Sequence, residues 1–128
     1  MDITEERFEA VEFDEVLLIG KKTEVLQGRT ATAFVKEFRS DGSNEYLQKL
    51  DNRVSPKGDI IIYMGEYDGQ AKSFTEIPGI FAKPGCEVPA GYDYRVIPRC
   101  MMGIYTVSGK TRSLTRQNNY GFYKRIPQ

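Results

Sequence analysis

The chain has no histidine, no tryptophan and only two cysteines, Cys86 and Cys100. Without histidine, neither a Cys/His zinc site nor a Cys-His catalytic pair can be built, and the two thiols are expected to be reduced. Charge of one sign is also missing: Lys plus Arg and Asp plus Glu stand at 18 each, so there is no overall basic field to hold a nucleic acid by counterion release. No apolar run approaches the roughly 20 residues of a membrane span. The N-terminal stretch is acidic and lacks the basic and apolar regions of an export signal. These absences predict a cytoplasmic protein with no metal, no cofactor, no membrane and no direct nucleic-acid contact.

What remains is 128 residues with a hydrophobic fraction of 40% and a charged fraction of 28%, the balance of one soluble domain spanning residues 1–128. Charge is unevenly spread. From Asp2 to Glu15 every charge but Arg7 is acidic, and from Arg95 onward every charge is basic. Two chain ends that lie close and balance each other explain this more simply than an interaction surface does.

Phe8 to Gly20 reads FEAVEFDEVLLIG, alternating at first and then continuously apolar, which predicts one long strand bulged near Asp14. Thr30 to Phe38 carries Ala31, Phe34, Val35 and Phe38 at helical spacing. A second helix is expected to start at Ser43 as N-cap, with Tyr46, Leu47 and Leu50 on one face. Ile60 to Tyr67 is a β-branched and aromatic strand, Asp68-Gly69 a hairpin signal, and Lys72 to Ile77 the return strand, resuming at Ile80 after a Pro78-Gly79 kink. A Gly/Pro loop leads to Tyr92–Val107, one long strand interrupted at Pro98, and Thr111 to Asn119 reads as a closing helix. The order predicts an α+β fold in two halves of strand, helix, strand, strand type, the second without its closing hairpin. A strand left open in that way is expected to expose an edge along Tyr92–Val107 and to favour a homodimer.

Few motifs carry chemistry. Val107 to Ser113 contains Gly-Lys-Thr, but Ile104 stands where a phosphate-binding loop needs its first glycine, so a strand-ending turn explains these residues. Glu66 and Glu76 lie on opposite arms of the predicted hairpin, where an acid/base pair would be placed; a solvated edge is the plainer reading. The more telling set is aromatic: Tyr63, Tyr67, Phe74, Tyr94 and Tyr105 all fall in predicted strands. A period of two puts Tyr63 and Tyr67 on one face, and rings beside a carboxylate suit a flat hydrophobic cation, although ordinary core packing also consumes tyrosines.

The strings FEAVEFDEVLLIGKKTEV, NRVSPKGDIIIYMGEYDG and FTEIPGIFAKPGCEVPAGYDYRVIPRCMMGIYTVSG resemble the GyrI-like small-molecule-binding domains, found alone and as effector-binding domains of AraC-type and MerR-type multidrug-responsive transcription regulators. The resemblance covers about Phe8 to Gly121. It implies a curved antiparallel sheet with helices on one face, a ligand cleft between two similar halves, and a chain lacking the family's C-terminal strands. It further implies a stand-alone effector-binding domain that senses or sequesters an aromatic or hydrophobic, in some members cationic, compound. The ligand-binding residues expected are Tyr63, Glu66, Tyr67, Phe74, Glu76, Tyr94 and Tyr105, with no catalytic residue. Two alternatives are a hydrolase using a cleft carboxylate such as Glu66 as general base, and a protein-interaction module of the gyrase-inhibitor kind.

Overall fold

The computed structural model describes residues 3–28 and 32–109. The elements run β1 (Ile3–Phe13), β2 (Val16–Gly20), β3 (Thr23–Leu26), α1 (Thr32–Ser40), α2 (Ser43–Gln48), β4 (Ile61–Asp68), β5 (Ser73–Ala82), β6 (Asp93–Ile97) and β7 (Cys100–Gly109). The fold is α+β with antiparallel strand pairing throughout. No helix among the described residues is long and apolar enough to cross a membrane. The expected helix Thr111–Asn119 lies outside the described residues.

The chain divides into two compact units. In one, β1 and β7 pair from Ile3↔Gly109 to Phe13↔Cys100, and Arg99 forms an ion pair with Glu12. Strand β7 itself carries no charge, so of the basic C-terminal run Arg99 alone is seen to meet the acidic first strand among the described residues. The other unit, Glu15–Pro98, holds a five-stranded sheet in which β2 lies between β5 and β6, while β3 and β4 flank the first part of β5.

The long strand expected over Phe8–Gly20 is therefore two strands. They break at Asp14-Glu15 and change partner, β1 joining β7 and β2 joining β5 and β6. The Tyr92–Val107 segment breaks likewise at Pro98, which has no N–H to continue a ladder. Its expected free edge is half filled: β6 pairs with β2 and β7 with β1, and among the described residues no strand pairs on their other sides.

Strand β5 is continuous through Pro78, where a kink was expected. In an antiparallel strand the N–H and C=O of one residue point to the same side. The Pro78 carbonyl accepts from the Lys21 N–H at 3.1 Å, so its missing donor faces the short passage between β2 and β3, where no ladder bond is lost. The β3 strand itself was not expected: four residues after Lys21-Lys22 give too short a pattern to read.

Leu17, Ile19, Ile80 and Ala82 form one face of this sheet and are buried against Phe38 of α1 and Leu47 of α2. Ser43 is the first residue of α2 rather than its cap. Gly42, at φ 91°, takes the preceding left-handed position, and the Asp41 carboxylate accepts the Ser43 N–H at 2.8 Å. Leu47 is buried and Leu50 packs on the core as expected, while Tyr46 turns outward and stacks on Tyr92, with ring centroids 5.6 Å apart.

Candidate functional site

The opposite sheet face follows from register. Leu18 is level with Phe81 and Arg95, Gly20 with Gly79 and Asp93, and Ile77 with Tyr63. In the middle of this face stands the Gly20-Gly79 pair, with no side chains to hold the strands apart. A Cβ on Gly79 would overlap the Ile19 carbonyl, and one on Gly20 would overlap the Pro78 carbonyl. These two glycines are required by close backbone approach.

On this face three polar side chains meet. Tyr63 of β4 donates its hydroxyl to Glu66 Oε2 at 2.7 Å. Arg95 of β6 donates Nε to the same oxygen at 2.8 Å and Nη2 to Oε1 at 3.0 Å, and its Nη1 bonds the Tyr94 carbonyl at 2.8 Å. Strands β4 and β6 both lie at an edge of the sheet, with β5 and β2 between them. A flat sheet would hold them about 14 Å apart, so direct side-chain contact requires the sheet to curl strongly toward this face. Leu18 and Ile77 share the face and are fully buried.

A β-bulge places Glu66 there. The β4–β5 register shifts between Gly65 and Asp68, and Glu66 has φ 58°, a left-handed conformation uncommon for a residue with a Cβ. The bulge breaks the period of two on which the sequence reading relied. Glu66 therefore joins Tyr63, and Tyr67 instead donates its hydroxyl to Gln27 Oε1 at 2.6 Å.

Electrostatics follow from these partners. The Arg95 fork, and after it the Tyr63 hydrogen bond, hold the Glu66 carboxyl well below its ordinary range, at about 2. The hydrogen bond to Glu66, with burial, raises the Tyr63 hydroxyl. At neutral pH the cluster is a carboxylate, a guanidinium and a neutral phenol. A carboxylate so depressed is a weak base, which argues against Glu66 as the general base of a hydrolase. The cluster is suited to holding a group, not to moving a proton.

The other expected residues do not join it. Glu76 lies level with Met64 and Thr23, on the helix-covered face, one residue out of phase with Tyr63 and Ile77. It is buried, and desolvation alone raises its carboxyl. Phe74, half-buried, shares that face opposite Val25 of β3. Tyr94 is 52% exposed and, with Tyr92, Asp93, Arg95 and Val96, lines an open depression of about 400 Å³ along β6. Tyr105 is paired with Phe8 in the β1–β7 unit. Of the seven expected residues, Tyr63 and Glu66 are brought together.

Arg95 was not among them. Its signal was available: in the alternation of β6 it is a lone cation on the face opposite Tyr94 and Val96. Gly20 and Gly79, glycines inside strands, likewise signalled close backbone approach.

No protein-family model matches the chain, and no curated protein matches it in sequence.

Proposed function

We propose that this chain is a small-molecule-binding domain that senses or sequesters a planar hydrophobic compound, as its resemblance to the GyrI-like domains implies. The observation that carries the reading is the Tyr63, Glu66 and Arg95 cluster on the curled sheet face. A half-buried aromatic ring there is fixed by a carboxylate that is itself fixed by a guanidinium, over buried Leu18 and Ile77. A ring held by its hydroxyl loses little freedom when a flat ligand packs on it, and the adjoining polar atoms orient a ligand's polar rim. The depressed Glu66 favours binding over turnover.

The test is a fluorescence screen of planar dyes and drugs of differing charge. Binding in the low-micromolar range or weaker is expected, and Tyr63→Ala is expected to weaken it by about 1 to 3 kcal/mol, the scale of a buried aromatic contact. A screen with no hit, or an unchanged affinity in Tyr63→Ala, overturns the reading.

A further inference from the structure

Resting on that reading, we propose that Arg95 is the anchor for the carboxylate of a planar aromatic ligand, and that Glu66 is an internal stand-in occupying the guanidinium until such a ligand displaces it. The fork is already used in carboxylate geometry, with two parallel bonds at 2.8 and 3.0 Å, the arrangement for which a guanidinium is best shaped.

The two partners are unequally committed. Arg95 belongs to a strand laddered to β2, and its third nitrogen is tied to the Tyr94 carbonyl of its own strand, which fixes the guanidinium plane. Glu66 sits on a bulge in a left-handed conformation, with its side chain 41% exposed. If Glu66 leaves, the bulge carries its carboxylate into water at little cost. If a cation drew Glu66 away, Arg95, its side chain 31% exposed, would lose the carboxylate that satisfies its fork and gain no other, which is the less favourable exchange. The asymmetry selects an anion as the incoming group.

Space for the rest of the ligand adjoins the same arginine. An open surface depression along β6 is lined by the consecutive residues Tyr92 to Val96, taking in Arg95 and Asp93 from one face of the strand and the exposed Tyr94 and Val96 from the other. Asp93 is a further negative charge acting on Arg95, and it accepts the Lys22 backbone N–H at 2.9 Å, while the Lys22 charge acts on Glu66. Tyr63, released from Glu66, retains a hydroxyl donor for the arriving carboxylate.

The experiment compares 2-naphthoate with its uncharged isostere 2-naphthamide, by calorimetry and by the NMR signal of the Arg95 Nε–H, in the wild type, Glu66→Gln and Arg95→Gln. In the wild type naphthoate should bind more tightly than the amide and shift the Arg95 signal. Glu66→Gln removes the charged competitor and should tighten naphthoate at least about fivefold while leaving the amide unchanged. Arg95→Gln should erase the difference between the two. Arg95→Lys, which keeps the charge and loses the fork, covers the case in which Arg95→Gln does not fold, and should lose most of the preference. Equal affinities for the two compounds in the wild type and in Glu66→Gln overturn the stand-in role and leave the small-molecule reading in place. Failure of both compounds overturns the proposal too, and only a screen blank for dyes of every charge removes the reading beneath it.

Discussion

On one face of the five-stranded sheet Leu17, Ile19, Ile80 and Ala82 are buried by Phe38 and Leu47 from the two helices. On the other, Leu18 and Ile77 are as fully buried, and what spans them from edge to edge is a chain of polar contacts from Tyr63 through Glu66 to Arg95. The first face is closed by apolar packing, which has no direction and opens only with unfolding. The second is bridged by hydrogen bonds and an ion pair, which have direction and can be exchanged for those of a ligand. A carboxylate on each face sharpens the contrast. Glu76 is buried on the helix-covered face and its carboxyl is raised by desolvation, whereas Glu66 is exposed, fully engaged and depressed to about 2. Partners, more than depth, decide which carboxylate is useful at neutral pH.

The largest expected effect tests whether the two faces are equally packed. Ile19→Ala and Ile77→Ala should each cost about 2 to 5 kcal/mol in urea unfolding, the range for truncating a fully buried aliphatic side chain. A much smaller loss for Ile77→Ala would mean that the polar bridge does not keep its face closed in solution.

Next in size is Glu76→Gln. A carboxyl raised by burial binds its proton more tightly in the folded than in the unfolded chain, so folding stability falls as pH rises from the ordinary carboxylate range through the folded value. The variant should gain about 1 kcal/mol over the wild type at pH 7, the scale of a carboxyl shifted upward by desolvation, and the gain should vanish in acid below the ordinary glutamate range. Thermal unfolding followed against pH decides it, and a loss at pH 7 would mean that Glu76 has a partner in solution.

The smallest effect concerns Glu66. A depressed carboxyl contributes stability that is complete above the ordinary range near 4.5 and is lost as pH falls through about 2. Tyr63→Phe removes one donor and leaves the Arg95 fork, so carboxyl NMR should show Glu66 titrating above its wild-type position yet still below 4.5. An unchanged titration would place the Tyr63 hydroxyl elsewhere.

Much of the scaffold was legible locally. The runs Ile60–Tyr67 and Lys72–Ile77 were visible through their β-branched and aromatic residues, though not the continuation of β5 through Pro78, the helix around Phe34 and Phe38 through its spacing, and the interruption at Pro98 through a missing donor. The candidate site was legible only in part. Tyr63 and Glu66 were expected to matter, but a strict period of two paired Tyr63 with Tyr67, because a bulge of one left-handed residue leaves no mark in the hydrophobic pattern.

The sequence by itself determined most of where the chain extends and where it coils into helix, and that Pro98 interrupts a ladder, since those preferences are settled within a few residues of backbone. Only the tertiary structure decided that Glu66 and Arg95, 29 residues apart, would share two hydrogen bonds. That contact depends on the curl of the sheet, and curl is the sum of many strand pairings, none of which is written at either residue.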